Sequence, residues 1–232
     1  MNILVTGASK GIGNAIAQEL QNVGEVFVTG RNEQALAACN AKGFCICDLS
    51  KDVNNLANFI IEKNIDVLIN NAGEYIYAGL ETMNIADIQR LYQTNLIAPA
   101  YLISKAIPHM KGQRWGRVIN IGSISGVMGE AFASIYSSSK AGLIGLTKGL
   151  ALELAEYNIT VNTINPGWVE TELGMASIED SEFSKEEIID TIQKRFVKPE
   201  EVAKLCKYLI SEDAKGITGQ SINLCAGLSV GI

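Results

Sequence analysis

Tyr136 and Lys140 are suited to act together as a proton donor and the cation that tunes it. They stand four residues apart in a segment with helical periodicity, so both side chains share one helix face. A nearby cation lowers the pKa of a phenol from about 10 toward neutrality, which makes tyrosine a usable general acid. Ser123 precedes Tyr136 by thirteen residues and ends an apolar run, and open α/β sheets bind ligands beyond such strand ends. These residues predict an acid–base site.

A second pair, Tyr101 and Lys105, has the same spacing. It lies inside a long helical stretch and has no serine partner at the end of a strand. We therefore interpret Tyr101 and Lys105 as an ordinary packing pair on a helix surface.

Three glycines, Gly7, Gly11 and Gly13, follow the first apolar run and open the first helical segment. Glycine permits a tight turn and lets backbone N–H groups approach a pyrophosphate, which a helix N-terminus favours. The spacing alone is a weak signal in a chain with 22 glycines. Its place between a strand and a helix is the context that a dinucleotide site requires.

These residues must be positioned by elements that alternate along the whole chain. Short apolar runs predict strands at Ile3–Val5, Val26–Thr29, Phe44–Cys47, Val67–Ile69, Val118–Ile121, Thr160–Ile164 and Ser221–Leu224. Amphipathic segments predict helices near 11–23, 32–41, 52–62, 84–111, 134–157 and 199–211. The alternation predicts an α/β fold: a single Rossmann-type, doubly wound parallel sheet of about seven strands with helices on both faces.

One acidic insertion, residues 172–198, follows a strand and Pro166-Gly167. We expect it to form short helical pieces and to serve as a small substrate lid.

Length and charge set the class of protein. A chain of 232 residues is expected to form a single dinucleotide-binding and catalytic domain, 1–232. The net charge of −6 gives no reason to expect a nucleic acid or membrane partner. We expect no transmembrane helix, no secretion signal and a cytoplasmic location.

The cysteines do not predict a metal site. Cys45 and Cys47 would share one face of a strand, but the five cysteines are scattered and the single histidine, His109, is distant in sequence. We interpret them as small core residues of a reduced protein and expect no metal.

Taken with their spacing, these motifs make the chain resemble the short-chain dehydrogenase/reductase superfamily, and most of all its β-ketoacyl reductases. The matching segments are Thr6–Gly13, Asp48-Leu49-Ser50, Asn70–Gly73, Asn95, Ser123, Tyr136 with Lys140, Asn165-Pro166-Gly167 with Thr171, Lys198–Ala203 and Ile217–Gln220. They extend over nearly the whole chain.

The resemblance implies a catalytic tetrad of Asn95, Ser123, Tyr136 and Lys140 that works on a nicotinamide cofactor. Tyr136 would protonate the carbonyl oxygen as hydride reaches the carbon, and Ser123 would stabilise the developing alkoxide. Lys140 would lower the pKa of Tyr136 and hold the nicotinamide ribose. The implied cofactor contacts are Gly7, Ser9, Lys10, Gly11, Ile12, Gly13, Arg31, Asp48, Leu49, Asn71, Ala72, Gly73, Tyr136, Lys140, Pro166, Gly167, Val169 and Thr171.

Asn95 precedes Pro99 by four residues. Because proline has no N–H, a helix would leave the Asn95 carbonyl free for a water. In the resembling family such a water joins this helix to the lysine as a proton relay. A simple kink near the start of a helix explains Pro99 equally well.

The residues after the second strand favour NADP(H) over NAD. Gly30 stands where an acidic side chain would bind the 2′-hydroxyl of NAD, and Arg31 and Lys10 supply two cations for a 2′-phosphate. The alternative is that Arg31 merely stacks on the adenine.

We therefore hypothesise that the protein is an NADPH-dependent reductase of a ketone. A β-ketoacyl thioester is one candidate substrate. Alternatives are a 3-oxoacyl-(acyl-carrier-protein) reductase of fatty-acid or polyketide synthesis, an NADP-dependent secondary-alcohol dehydrogenase, and a non-catalytic dinucleotide-binding regulator. We expect a small-molecule partner and, from the resemblance, a homotetramer or homodimer formed through the helices at 95–111 and 134–157.

The lid segment bears on the carrier question. Residues 179–190 contain six acids and one lysine, a local charge of −5. Carrier reductases that resemble this chain place two arginines beside the site entrance, and here those positions are Arg114 and Tyr157. We therefore expect free or CoA-linked β-keto substrates to be turned over at least as well as carrier-bound ones. The alternative is that the acids form an ordinary solvated helix face and that Arg114 alone suffices for the carrier.

Overall fold

Seven parallel strands form one sheet in the computed structural model, which describes residues 1–172, 174 and 192–230. The strands are β1 (Asn2–Thr6), β2 (Glu25–Gly30), β3 (Gly43–Ile46), β4 (Val67–Asn70), β5 (Gly116–Ile121), β6 (Ile159–Pro166) and β7 (Ser221–Leu224). Their order across the sheet is β3-β2-β1-β4-β5-β6-β7. The predicted doubly wound α/β fold is confirmed.

The strand order creates a crevice at the carboxyl ends of β1 and β4. From β1 the chain runs outward to β2 and β3, and then returns to place β4 on the other side of β1. The connections therefore leave in opposite directions at this point, which is where open α/β sheets bind ligands.

Eight α-helices among the described residues cover the two faces of the sheet. They are α1 (Gly11–Leu20), α2 (Glu33–Ala37), α3 (Asn54–Glu62), α4 (Ile85–Tyr92), α5 (Ala98–Gln113), α6 (Ser125–Met128), α7 (Ser134–Leu154) and α8 (Pro199–Ile210). Short 3₁₀ segments lie at Leu80–Thr82, Ala155–Tyr157, Glu212–Ala214 and Leu228–Val230.

Alternate residues of β1 reach the two halves of the core. Ile3 and Val5 pack in the cluster that includes α1 and α8, whereas Leu4 packs in the cluster that includes α3 and α5. All three side chains are fully buried. Because both faces are covered, central strands such as β1 and β4 are nearly continuous apolar runs.

The helix predicted over 84–111 is in fact two helices, and this part of the prediction is wrong. Between α4 and α5 the residues Gln93–Ile97 form a π-helical turn, in which the Ala98 N–H reaches the Gln93 carbonyl. Pro99, at the start of α5, cannot donate the bond that would continue a regular helix. The widened turn places Asn95 in the interior, where it is buried.

The segment predicted as a lid, 172–198, lies largely outside the described residues, and so do the acids of 179–190.

The cysteines pack in the core. Cys45 and Cys47 both lie in the cluster on the α3 side of the sheet, as their spacing predicts. Across the described residues, no group of three or more His, Cys, Asp or Glu side chains is arranged to hold a metal ion. Nor does any helix in those ranges have the length and apolar character needed to cross a membrane.

Candidate active site

The glycine turn between β1 and α1 has the backbone that its sequence predicts. Gly7 and Gly11 adopt φ values of +67° and +57°, which L side chains rarely adopt. A Cβ on Gly13 would collide with the carbonyl oxygen of Gly7 and lie 2.5 Å from Asn71 Nδ2. Lys10, at the N-cap of α1, gives no side-chain cap. The close approach of the backbone and the uncapped helix N-terminus fit a pyrophosphate.

Asn71 braces this turn from the end of β4. Its Nδ2 donates to the carbonyl oxygens of Thr6 at 2.9 Å and Gly7 at 3.2 Å. The Thr6 hydroxyl in turn accepts from the backbone N–H groups of Asn71 and Ala72. The Asn71 side chain, which the resemblance assigns to the cofactor, is therefore occupied in holding the turn.

Thr171 closes the turn from the opposite side. A Cβ on Gly11 would lie 3.3 Å from Thr171 Cγ2. Thr171 is carried there by the segment after β6, which Val169 anchors by a parallel bridge to Val197. At the start of this segment the Gly167 N–H donates to the Leu224 carbonyl. The structure thus brings Thr171, at the end of the predicted segment 166–171, next to the glycine turn.

The four residues of the predicted tetrad lie together beyond β4 and β5. Lys140 Nζ is buried, donates to the Ile121 carbonyl at 2.9 Å and lies 5.7 Å from the centre of the Tyr136 ring. A Cβ on Gly73 would lie 3.3 Å from Lys140 Nζ and 3.5 Å from Asn95 Oδ1. Ser123, which follows β5, is near enough to the Tyr136 phenol to lower its pKa.

The Asn95 amide is fixed by three hydrogen bonds. Its Oδ1 accepts from the Glu74 N–H at 2.8 Å, and its Nδ2 donates to the Glu74 carbonyl at 2.9 Å and to Ser139 Oγ at 3.1 Å. The side chain therefore ties the π-helical turn to the segment after β4 and to α7.

Burial dominates the titration of the site. It raises the pKa of Tyr136 to about 12, against a lowering by the hydrogen bond with Ser123 and with a further rise from Glu130. Burial also lowers the pKa of Lys140 to about 8. The pKa of Tyr136 thus shifts in the direction opposite to the one expected from Lys140, because burial disfavours both charged forms.

Comparison of the sequence with models of known protein families identifies the family of this chain. The family model for short chain dehydrogenases matches residues 1–182. The chain belongs to the short-chain dehydrogenase family. It is therefore an oxidoreductase that acts on carbonyl and alcohol groups, as the sequence predicts.

Several members of this family align with the chain over nearly their full length. A 3-oxoacyl-(acyl-carrier-protein) reductase of Aquifex aeolicus is 35% identical, covering 97% of this chain and 96% of the relative. An acetoacetyl-CoA reductase of Cupriavidus necator is 36% identical, covering 98% and 97%. A solved structure of an actinorhodin polyketide ketoreductase variant with NADPH superposes with a TM-score of 0.90 at 33% identity, covering 99% and 97%.

The second tyrosine–lysine pair of this short-chain dehydrogenase, Tyr101 and Lys105, makes packing contacts between helices. Lys105 Nζ lies 4.6 Å from the centre of the Tyr101 ring, and the Tyr101 hydroxyl donates to Asn54 Oδ1 at 3.1 Å. The pair links α5 to α3, which agrees with its interpretation as a packing pair.

The cations predicted to bind a 2′-phosphate have different surroundings. Arg31 is exposed after β2. Lys10 is also exposed, but its Nζ pairs with Glu172 at 2.8 Å. The hydrogen bond from Ser50 holds the pKa of Asp48 below its usual range, and the nearby charges of Lys51 and Arg31 add to this effect. Gly30 faces Ser9, whose Oγ would lie 3.2 Å from an added Cβ.

Three residues that adjoin the tetrad, Glu130, Tyr75 and Ser125, were not predicted individually as site residues. Glu130 Oε2 accepts from Ser125 Oγ, which lies 3.1 Å from Ser123 Oγ. Tyr75 packs edge-on against the Tyr136 ring with 4.9 Å between the ring centres. One signal was available: Glu130 is the only charged residue in the sequence between Ser123 and Tyr136.

Proposed function

We propose that this chain is an NADPH-dependent reductase of ketones whose substrates are β-ketoacyl thioesters. The observation that carries the proposal is the convergence of Ser123, Tyr136, Lys140 and Asn95 on one point beside the glycine turn. The reductases and the NADPH-containing ketoreductase found among the relatives support it.

The roles of the residues follow from their placement. When bound, the cofactor supplies hydride. Tyr136, kept protonated by burial, donates its proton to the carbonyl oxygen. The Ser123 hydroxyl binds the same oxygen and stabilises its developing charge. Lys140, held by the Ile121 carbonyl, stabilises the tyrosinate that remains, and Asn95 positions the segment beside it.

The residues present fit NADP(H). The tight packing around Gly7 and Gly13 leaves no space for side chains where the pyrophosphate would approach. The exposed Arg31 and the absence of an acidic side chain at Gly30 suit a 2′-phosphate. Lys10 would exchange its pairing with Glu172 for this phosphate.

The acyl carrier is a separate question from the reaction. The Aquifex relative is described as acting on a carrier-bound substrate and the Cupriavidus relative on a CoA-bound one, at nearly equal identity to this chain. We propose the short thioester as the better substrate, because of the acidic sequence at 179–190. Fatty-acid or polyketide synthesis remains the alternative context, and alcohol oxidation is the same reaction reversed.

We also propose that the chain forms a single domain, that it is cytoplasmic, and that its copies assemble into a homotetramer or homodimer. On α7, one of the two helices expected at the interface, the apolar residue Leu152 retains 85% of its accessible surface. Ile97, at the end of the π-helical turn, is also exposed.

Oxidation of NADPH with a panel of ketones tests the proposed function. The panel contains acetoacetyl-CoA, methyl acetoacetate, a simple diketone and an unactivated ketone, each with NADPH and with NADH. We expect turnover of the β-keto esters and thioesters with NADPH. Tight NADPH binding without turnover of any of them would instead support a non-catalytic dinucleotide-binding protein.

A further inference from the structure

Two loops that flank the tetrad are fastened to each other. One follows β4 and contains Tyr75 and Tyr77, and the other leads into α7 and contains Glu130 and Phe132. The Ala78 N–H donates to the Phe132 carbonyl at 2.6 Å, and the rings of Tyr77 and Phe132 pack with their centres 5.5 Å apart. The wall formed by these loops therefore has a defined geometry.

Glu130 is the fixed charge within this wall. Its Oε1 accepts from the Tyr75 hydroxyl at 2.6 Å, and its Oε2 accepts from Ser125 Oγ at 2.6 Å. Burial, and then this hydrogen bond, raise the pKa of Tyr75, so Tyr75 remains a neutral donor. None of the ion pairs among the described residues involves Glu130. Its negative charge is thus held by neutral donors and stays unneutralised.

The same carboxylate is close to the reacting groups. Ser125 Oγ, which binds Glu130, lies 3.1 Å from Ser123 Oγ, so the carboxylate is two hydrogen bonds from the catalytic serine. Tyr75, its other donor, contacts the Tyr136 ring. Among the described residues, the charge of Lys140 also lies near the Tyr136 ring, and its Nζ is held by the Ile121 carbonyl. A ketone whose oxygen is held by Ser123 and Tyr136 would therefore be reduced in the electric field of the Glu130 carboxylate.

We propose that Glu130 is a specificity-determining residue that makes this site favour ketones with uncharged ester or thioester groups over ketones that carry a carboxylate. The inference rests on the proposed ketone reduction. Its physical basis is repulsion between like charges in a partly desolvated site, where an effective dielectric constant well below that of water strengthens it. An ester and its free acid differ in this charge but share the reacting carbonyl group.

The test compares methyl acetoacetate with acetoacetate in the wild-type enzyme and in Glu130→Gln. We expect the wild type to prefer the ester, and the ratio of the two kcat/KM values to fall by about tenfold in the variant, mainly through a lower KM for acetoacetate. Glu81→Gln is the matched control, since Glu81 is exposed in the segment after Tyr77. It should leave the ratio unchanged.

A second variant, Glu130→Ser, keeps the proposal testable if Glu130→Gln does not fold. It also removes the charge, so the ratio of the two kcat/KM values should fall in the same direction. An unchanged ratio in a folded Glu130→Gln enzyme that still reduces the ester overturns the inference alone. A wild type that reduces neither compound overturns the proposed function as well.

Discussion

Tyr136 and Tyr101 have the same spacing to a lysine but different surroundings. Tyr136 faces Ser123 and a buried Lys140, whereas Tyr101 donates to Asn54 and its lysine lies over the ring. The adjacent serine and the buried ammonium suit the first phenol to act as a proton donor. The second phenol has neither and contributes packing between two helices.

Replacing each of these tyrosines by phenylalanine should therefore have very different effects on activity. Tyr136→Phe removes the proton donor, and loss of general acid catalysis typically costs 10²–10⁴-fold in rate. NADPH binding, measured by fluorescence titration, should remain nearly unchanged. Tyr101→Phe should keep most of its activity. Equal loss of kcat in the two variants would contradict the assignment of the site to Tyr136.

The depressed pKa of Lys140 predicts a pH limit for reduction. Because burial brings this pKa to about 8, the ammonium carries its charge below that pH and loses it above. Tyr136, with a pKa of about 12, stays protonated across this range. The kcat/KM for NADPH, which reports groups of the free enzyme, should be constant at low pH and fall about tenfold per unit above pH 8.

Lys105→Met is the control for this profile, since it removes the lysine of the other pair. It should leave the pH dependence unchanged. A wild-type profile that stays flat to pH 10 would show that Lys140 does not control the rate.

At the scale of elements, the end of β2 and the start of α1 together set the choice of nucleotide. Arg31 is exposed, whereas Lys10 is paired with Glu172. Arg31→Asp should shift preference toward NADH, because it removes a phosphate partner and supplies an acceptor for the ribose hydroxyl. A lost charge-assisted bond costs about 1.5–3 kcal/mol. This corresponds to roughly ten- to a hundredfold weaker NADPH binding.

Titration of both nucleotides against Arg31→Asp and Lys10→Met measures the shift. Lys10→Met should have the smaller effect, since Lys10 must first give up Glu172 to bind a phosphate. A wild type that already prefers NADH would refute this interpretation of Gly30 and Arg31.

Most elements were predictable because their signals are local. Buried parallel strands are apolar runs, so the strand predicted at Val67–Ile69 is found at Val67–Asn70, where every residue is buried. The break within 84–111 was missed because the helical pattern continues through residues 93–97, while Pro99 forces the wider turn. Glu130 was missed because its partner Tyr75 is 55 residues away in sequence. Likewise, the pKa of Tyr136 depends on burial that the fold creates.

At the scale of the whole molecule, charge is distributed unevenly. Residues 179–190, which lie outside the described residues, have a net charge of −5 in a chain of −6. Of the two positions compared with carrier reductases, Arg114 donates to the Glu156 carbonyl at 2.8 Å. At the other, Lys111 Nζ lies 4.3 Å from the centre of the Tyr157 ring. A cation is therefore present beside Tyr157, supplied by α5, although no arginine occupies that position.

The charges of these cations and of the acidic segment predict whether the enzyme prefers a carrier-bound substrate or a short thioester. Attraction between opposite charges can change association rates by 10–10³, and Arg114 with Lys111 opposes only part of the acidic charge. We expect a β-ketoacyl group on a short thioester to be reduced at least as well as the same group on an acyl carrier protein. The measurement is kcat/KM for both forms at low and high salt. A strong preference for the carrier that weakens with salt would mean that the basic residues dominate the encounter, and would restore a role in carrier-dependent synthesis.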